Sequence, residues 1–358
     1  MKTYSEDKLD LGITYSSSPC VSAGIFTTNQ VRSPSVIITE KHVRNGKVRA
    51  IVANSGIANA VVGEPGVKDA EEVVRLTATQ LDLPQTEVGF LSTGIVGVEL
   101  PMALIRAALP QTDISTEGGN EFARAIMTTD THPKEAAIYY EHNGLTITVG
   151  GVAKGAGMIH PNMATLLAFI STDAKVEKSF LDSLLAEAVD VSFNMVDVDG
   201  DQSTNDTVLI LANGKAGGPD ITEGSKGADA FQEGLSYVCT ELAKELARDG
   251  EGASTLVEVT VSGAKSIDEA RIAAREISSS LLVKAMVYGR DPNWGRVMMA
   301  LGKSGIDFEE SLVDIFINEI HIVHEGKALA YLRDSVVSAM SVPEIQIRVN
   351  VNAGDSTA

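Results

Sequence analysis

Near the middle of the chain lies the stretch Lys154-Gly155-Ala156-Gly157-Met158-Ile159-His160-Pro161-Asn162-Met163-Ala164-Thr165, which continues directly into Leu166-Leu167-Ala168-Phe169-Ile170. A small residue followed by threonine, behind a glycine-rich loop bent by proline, is what a self-cleaving threonine nucleophile needs. Attack of the Thr165 hydroxyl on the Ala164 carbonyl would form an ester, and hydrolysis of that ester would leave Thr165 at a new N-terminus. The pattern therefore predicts an α chain, residues 1–164, and a β chain, residues 165–358.

The new α-amine would lie beside its own hydroxyl. Its pKa is about 8, so an unprotonated fraction can take the hydroxyl proton near neutral pH without a histidine. A plainer interpretation also fits an isolated Ala-Thr pair, in which Thr165 is a β-branched residue that opens a buried strand or helix.

The stretch 154–174 resembles the ornithine acetyltransferase (glutamate N-acetyltransferase) family of arginine biosynthesis. Further blocks resemble the same family in the same order: Gly24–Asn29, Asn54–Ala60, Ser92–Gly97, Met127–Lys134, Asp199–Thr207, Arg248–Ala253 and Asp291–Arg296. The resemblance implies an α/β fold, with a layered αββα core of the N-terminal-nucleophile type over residues 1–249 and a smaller C-terminal α/β domain over 250–358. Pattern alone does not choose that architecture over a three-layer sandwich.

Composition limits the class of protein. The 358 residues, 44% of them hydrophobic, suffice for a large core and predict two or three domains. The net charge of −19, with 29 basic residues scattered among 48 acidic ones, argues against a nucleic-acid partner. Cys20 and Cys239 show neither metal-site nor disulfide spacing, and we found no apolar run of membrane-spanning length, so we expect a cytoplasmic protein.

Periodicity predicts alternating strands and helices. The predicted strands are Ser35–Thr39, Val48–Ala53, Leu145–Val149, Thr207–Ala212, Leu256–Val261, Val313–Val323 and Ile345–Val351. The predicted helices are Val67–Leu81, Pro101–Leu109, Phe122–Met127, Lys178–Phe193, Ala230–Ala247, Ile267–Ile277 and Lys327–Ala339.

The resemblance assigns roles to five residues besides the cleavage pair. Thr93 and Gly94 match the family's oxyanion hole, although sequence alone would favour a strand-end turn there. Lys154, Thr131 and Glu251 match substrate contacts. The ammonium of Lys154 suits a substrate carboxylate and the carboxylate of Glu251 suits the amines of ornithine, whereas without the resemblance both would be solvated surface charges.

Other polar residues are interpreted as structural. His160 is expected to make a local hydrogen bond, because an N-terminal threonine needs no imidazole. His321 and His324 have an odd spacing for a strand and no acidic cluster to complete a metal site. The aspartate cluster at 197–201 lacks the closing glutamate of a calcium loop.

The implied activity is a ping-pong acetyl transfer from N-acetylornithine through acetyl-Thr165 to glutamate, with ornithine leaving and no metal or organic cofactor. Acetyl-CoA as a second donor stays open, and the family implies a heterotetramer of two α and two β chains. Family members extend further at both ends, so the contacts they take from a C-terminal tail are not assigned here. Two alternatives remain, an aminopeptidase or amidase with the same nucleophile and a truncated, inactive homologue.

Overall fold

A computed structural model describes residues 8–160 and 166–358. The chain divides into two compact units, Met1–Glu251 and Gly252–Ala358. The expected boundary at 249/250 differs from this division by two residues. Across the described ranges no helix is both long and apolar enough to cross a bilayer.

Strands and helices alternate along the chain. The strands are β1 (Leu11–Tyr15), β2 (Val21–Phe26), β3 (Ala50–Ile57), β4 (Val88–Ile95), β5 (Lys134–His142), β6 (Leu145–Lys154), β7 (Leu167–Thr172), β8 (Thr207–Ala212), β9 (Leu256–Ser262), β10 (Asp314–Ile317), β11 (Ile320–His324), β12 (Lys327–Ala328) and β13 (Glu344–Asn350). The helices are α1 (Pro34–Val43), α2 (Glu64–Leu81), α3 (Met102–Ala108), α4 (Gly119–Ala125), α5 (Lys178–Asp190), α6 (Ala228–Arg248), α7 (Ile267–Ser279), α8 (Leu281–Tyr288), α9 (Trp294–Lys303) and α10 (Arg333–Ala339).

The first unit contains two sheets. One has the strand order β1-β3-β4 and the other β2-β8-β7-β6-β5. Successive side chains of a strand point to opposite faces, and β3, β4, β7 and β8 are buried on both faces over most of their length. Ile51 of β3 and Leu209 of β8 belong to the core between the sheets. Val52 faces a core shared with α2 and α3, and Ile210 faces a core shared with α5 and α6.

The resulting order of layers is helices, sheet, sheet, helices. This confirms the layered α/β fold expected from the resemblance. The second unit has one sheet in the order β12-β11-β10-β13-β9, with β13 parallel to β9 and the helix α7 packed on β9.

The predicted strand Ser35–Thr39 was wrong, and so was the first part of the predicted helix Lys327–Ala339, where Lys327–Ala328 forms β12 and the helix α10 begins only at Arg333. Ser35–Thr39 lies inside α1, although its run of β-branched residues favours a strand. The Ser33 hydroxyl accepts a hydrogen bond from the Ser35 amide at 3.3 Å, and Pro34 occupies the first helical position. This start signal outweighs β propensity because it satisfies an N-terminal amide and presets the backbone angle.

Candidate active site

The predicted cleavage pair, Ala164 and Thr165, lies outside the described residues. The residue that follows it in sequence, Leu166, is 2% exposed, and its carbonyl accepts a hydrogen bond from the Thr207 amide at 2.9 Å. From Leu167 the chain forms β7, which pairs with β6 on one side and β8 on the other. The sequence downstream of the predicted nucleophile is therefore a central strand of the larger sheet.

The loop that leads toward the cleavage pair is held by an aspartate. Asp199 accepts hydrogen bonds from the amides of Met158, at 2.5 Å, and Ile159, at 2.9 Å. Met158 has a φ of 60°, a conformation that is costly for a side chain with a Cβ. The two hydrogen bonds from backbone amides to the Asp199 carboxylate compensate for that cost, because charge-assisted hydrogen bonds are stronger than those between neutral groups.

His160 makes the local contact expected of it. Its Nδ1 lies 2.5 Å from Oδ1 of Asp197, whose side chain is 1% exposed. The aspartate cluster thus holds loop 155–160 through Asp197 and Asp199, and the local hydrogen bond predicted for His160 is confirmed.

Lys154 is buried, against the expectation for an isolated lysine. It ends β6 with 6% of its surface exposed, and its Nζ donates a hydrogen bond to Thr93 Oγ1 at 3.2 Å. Burial holds the pKa of the Lys154 ammonium below its ordinary value, and the nearby Asp130 carboxylate opposes that shift. Two residues predicted to act together, 61 positions apart, are therefore in contact across the two sheets.

Gly94 follows Thr93 at a place that only glycine can occupy. Its φ is 133°, and a Cβ there would lie 2.2 Å from the carbonyl carbon of Gly56, far inside contact distance. Gly94 lies opposite Gly56 in the parallel pairing of β4 with β3. The ends of these two strands therefore approach each other as bare backbone, and Thr93-Gly94 lies at the edge of the sheet because β4 is an edge strand.

Side chains from three of the resembling blocks fix this edge. The Asn205 amide donates to the Ala58 carbonyl at 2.6 Å and to the Ser92 carbonyl at 2.8 Å. The Ser92 hydroxyl donates to Asn54 Oδ1 at 2.6 Å. Because Asn205 is 4% exposed, these hydrogen bonds form in a poorly hydrated environment and hold the Thr93-Gly94 segment firmly.

Glu251 is exposed and lines the same cleft as Lys154, Thr93 and Gly94. Its amide donates to the Ala156 carbonyl at 2.7 Å, so the loop after α6 lies along the loop after β6. A Cβ on Gly157 would lie 2.6 Å from the Glu251 Cδ. The absence of a side chain at Gly157 therefore makes room for the Glu251 carboxylate.

Thr131 is placed differently from the other predicted substrate contacts. It does not line the cleft, and its amide and hydroxyl both donate to Asp249, at 2.9 and 2.5 Å. The structure brings Thr93, Gly94, Lys154 and Glu251 to one cleft and leaves Thr131 beside it.

A buried charge network next to Lys154 was not assigned any role from the sequence. Asp130 accepts hydrogen bonds from Lys134 Nζ at 2.8 Å, the Gly155 amide at 2.6 Å and the Thr128 amide at 2.8 Å. Lys134 Nζ also donates to Asp249 at 2.6 Å, and the Lys134 side chain is fully buried.

The charges decide the ionisation of this network. Burial would raise the pKa of Asp130, but the Lys154 and Lys134 charges outweigh it and hold that pKa well below its ordinary range. Lys134 and Asp249 are 115 positions apart, so no spacing rule could have paired them. The available signal was that both belong to blocks resembling one family.

The cleft has a volume of about 2230 Å³. Sites for small molecules usually measure about 300–1,000 Å³, so a ligand of amino-acid size would fill only part of it. The part that contains the Lys154–Thr93 contact lies where the carboxyl ends of β4 and β6 meet.

The layers and this cleft define a four-layer α/β protein with a buried lysine at the meeting point of its two sheets. The sequence model of the ArgJ family matches residues 1–358. The chain belongs to the ArgJ family.

Named relatives and a solved structure agree with that membership. The chain is 46% identical over 358 residues to the arginine biosynthesis bifunctional protein ArgJ of Dehalococcoides mccartyi, covering 100% of this chain and 88% of that protein. It is 46% identical over 353 residues to the protein of the same name from Symbiobacterium thermophilum, covering 98% and 88%. A crystal structure of the arginine biosynthesis bifunctional protein argJ from Bacillus halodurans superposes with a TM-score of 0.52 at 36% identity, over 53% of this chain and 90% of that one.

Proposed function

We propose that this chain is a glutamate N-acetyltransferase (ornithine acetyltransferase) of arginine biosynthesis that works through Thr165 after cleavage between Ala164 and Thr165. The observation that carries the proposal is the buried Lys154–Thr93 contact at 3.2 Å, in a cleft shared with Gly94 and Glu251. Membership of the ArgJ family over residues 1–358 supports the same reaction.

The first half of the reaction makes an ester. The Thr165 α-amine takes the hydroxyl proton while the hydroxyl oxygen attacks the acetyl carbonyl of N-acetylornithine. The segment Thr93-Gly94 stabilises the resulting oxyanion, and donors of this kind are typically worth about 3 kcal/mol each. The acetyl C–N bond then breaks, the amine of ornithine leaves with the proton, and acetyl-Thr165 remains.

The second half transfers the acetyl group. The amine of glutamate attacks the ester carbonyl, the C–O bond to Thr165 breaks, and the hydroxyl recovers a proton. N-acetylglutamate leaves. No atom changes oxidation state: the hydroxyl proton passes through the Thr165 amine to the departing ornithine nitrogen, and a proton of the glutamate amine returns through the same amine to the Thr165 oxygen.

Binding follows from the charges in the cleft. A substrate carboxylate pairs with Lys154, whose ammonium is buried and gains more from an anion than an exposed lysine would. The exposed Glu251 carboxylate pairs with the side-chain amine of ornithine. Holding the donor at both ends orients its acetyl carbonyl, and such positioning supplies much of a rate enhancement.

Three further features belong to the proposal. Acetyl-CoA serves as an alternative acetyl donor, since an acyl-threonine can form from a thioester as well as from an amide, and the relatives named above are called bifunctional. Two α and two β chains form a heterotetramer, as the family resemblance implies. Thr131 contributes to substrate binding when its hydroxyl leaves Asp249.

Intact masses under denaturing conditions test the cleavage. The wild-type chain is expected to give two fragments that meet at Ala164 and Thr165, and Thr165→Ala one full-length mass. Thr165→Ser is the matched control, because it keeps a hydroxyl nucleophile and should still cleave.

Acetyl transfer from N-acetylornithine is then measured with and without glutamate. Wild-type turnover is expected to require glutamate, and Thr165→Ala to show none. A Thr165→Ala protein that still exchanges acetyl groups would refute the mechanism. Acetyl release that is independent of glutamate would instead identify a hydrolase.

A further inference from the structure

A hairpin in the second unit carries three potential metal ligands. Asp314 lies on β10, and His321 and His324 lie on β11. The sequence-based reason for dismissing the histidines was wrong, because an acid does accompany them: one ligand atom from each residue lies within 4.8 Å of the others.

A β-bulge explains how histidines three positions apart share one face. Phe316 pairs with His321, but Ile315 pairs with Val323, so Ile322 is an extra residue on β11. Ile322 and Val323 are both fully buried and point to the core. The extra residue therefore restores His324 to the face of His321, which a regular strand would not do.

The distances suit a tetrahedral metal ion. His324 Nδ1 lies 2.8 Å and His321 Nε2 lies 3.5 Å from Asp314 Oδ1. Bonds of 2.0–2.1 Å around a tetrahedral zinc ion separate the ligand atoms by about 3.3 Å, a value between these two distances. Small side-chain movements would therefore admit the ion.

The His321 nitrogen is an unusual atom in the apo arrangement. Its Nε2 is buried, and it has no hydrogen-bond partner within the described part of the chain. A buried polar atom without a partner costs about 1–3 kcal/mol. Coordination of a cation would remove that cost.

Surrounding groups hold the ligands in orientation. The Phe316 ring stacks on His321 with centroids 4.1 Å apart. Asp314 accepts hydrogen bonds from the Glu325 amide at 3.0 Å and from Asn352 Nδ2 at 3.2 Å. Such contacts fix ring planes and carboxylates at metal sites. The Arg348 charge lies beyond the Phe316 ring, because Arg348 and His321 pair with Phe316 from opposite strands.

We propose that Asp314, His321 and His324 form a binding site for a divalent transition-metal ion such as Zn²⁺. Two imidazoles and one carboxylate favour zinc-like ions over Mg²⁺, which prefers oxygen ligands. The side chain of His324 is 52% exposed, which leaves water access to a fourth position. Binding stabilises the folded second unit, because the ion binds the folded hairpin and not the unfolded chain.

The test uses the full-length, tag-free protein after treatment with a chelator. Titration calorimetry with Zn²⁺ alone is expected to show one site per chain, and Mg²⁺ to show none there. His324→Gln should weaken Zn²⁺ binding at least tenfold, whereas His142→Gln, at the end of β5, should leave it unchanged. Circular dichroism confirms that both variants fold.

Co²⁺ supplies an independent readout, because tetrahedral coordination gives visible absorption. The absorption is expected in the wild type and in His142→Gln and should be lost in His324→Gln. No Zn²⁺ binding, or equal Zn²⁺ affinity in the wild type and His324→Gln, would overturn the proposal.

Discussion

Replacing Asp130 by asparagine should destabilise the first unit strongly. The Asp130 side chain is fully buried, and its carboxylate lies between two lysines. Asparagine keeps the volume and part of the hydrogen bonding but removes the negative charge. Lys134 retains Asp249, whereas the buried Lys154 loses the carboxylate that most favours its charged form.

Removing one partner of a buried ion pair typically costs about 3–5 kcal/mol. Because Lys134 keeps its second carboxylate, we expect the lower end, about 3 kcal/mol. In a domain of roughly 250 residues, 1 kcal/mol corresponds to about 2–4 °C, so the melting temperature should fall by about 6–12 °C.

The assay is thermal unfolding followed by circular dichroism at one fixed heating rate. Intact masses are measured first, so that wild type and variant are compared in the same state of cleavage. Glu141→Gln is the matched control, since it changes an exposed carboxylate on β5, the strand that follows Asp130, and should shift the melting temperature by less than about 1 °C. A fall of less than 2 °C for Asp130→Asn would refute the view that its charge compensates buried lysines.

Three further outcomes follow from the same geometry. Lowering the pH below about 4 should narrow the difference in melting temperature between wild type and Asp130→Asn. A carboxylate whose folded pKa is depressed stabilises the folded state above its unfolded pKa of about 3.9 and loses that effect as the pH falls. Melting curves from pH 7 to 2.5 measure this difference, and an unchanged difference would contradict the reasoning. Gly157→Ala should keep the wild-type melting temperature but raise KM for N-acetylornithine about 10- to 100-fold, because the displaced Glu251 carboxylate would lose a charge-assisted hydrogen bond to the substrate. Unchanged kinetics would argue against a contact between Glu251 and N-acetylornithine. Gly94→Ala should lower the free energy of unfolding by more than about 3 kcal/mol, because the new Cβ would meet backbone atoms. Gly97→Ala, at a φ of 81° with open space around it, should lower it by only about 1–2 kcal/mol. Equal losses of melting temperature in the two variants would contradict the steric argument.

Amphipathic periodicity predicted the long helices well. The predicted helix Val67–Leu81 lies inside α2 (Glu64–Leu81), and the predicted strand Thr207–Ala212 coincides with β8. These segments bury one side or all of their length, so burial and sequence pattern agree. By contrast, β5 was not predicted: the middle of its sequence KEAAIYYEH is a run of five apolar residues, which hides the period-2 alternation that places Ala136, Ile138 and Tyr140 on the core face. The extended run predicted over Val313–Val323 is two strands joined by a turn at Asn318, which has a φ of 50°.

The candidate site was predictable only in part from the residues themselves. A lone lysine in a loop is usually a surface residue, so no local pattern predicted that Lys154 is buried. Only the family resemblance indicated that it belongs to the site. The Lys134–Asp249 pair joins residues far apart in sequence, and such contacts depend on the tertiary fold. The bulge at Ile322 likewise has no sequence signature, and without it the spacing of His321 and His324 argues against a shared face.

The strand order of the larger sheet has a consequence for a cut chain. Strands β2, β5 and β6 precede Thr165, whereas β7 and β8 follow it, and β7 and β8 lie side by side between β2 and β6. The two halves are therefore interlaced, and each supplies a ladder partner to the other, β6 to β7 and β2 to β8. Neither half could complete this sheet when expressed alone. Co-expressed halves should assemble into one particle, so that a separation by size under native conditions would not distinguish a cut chain from an uncut one.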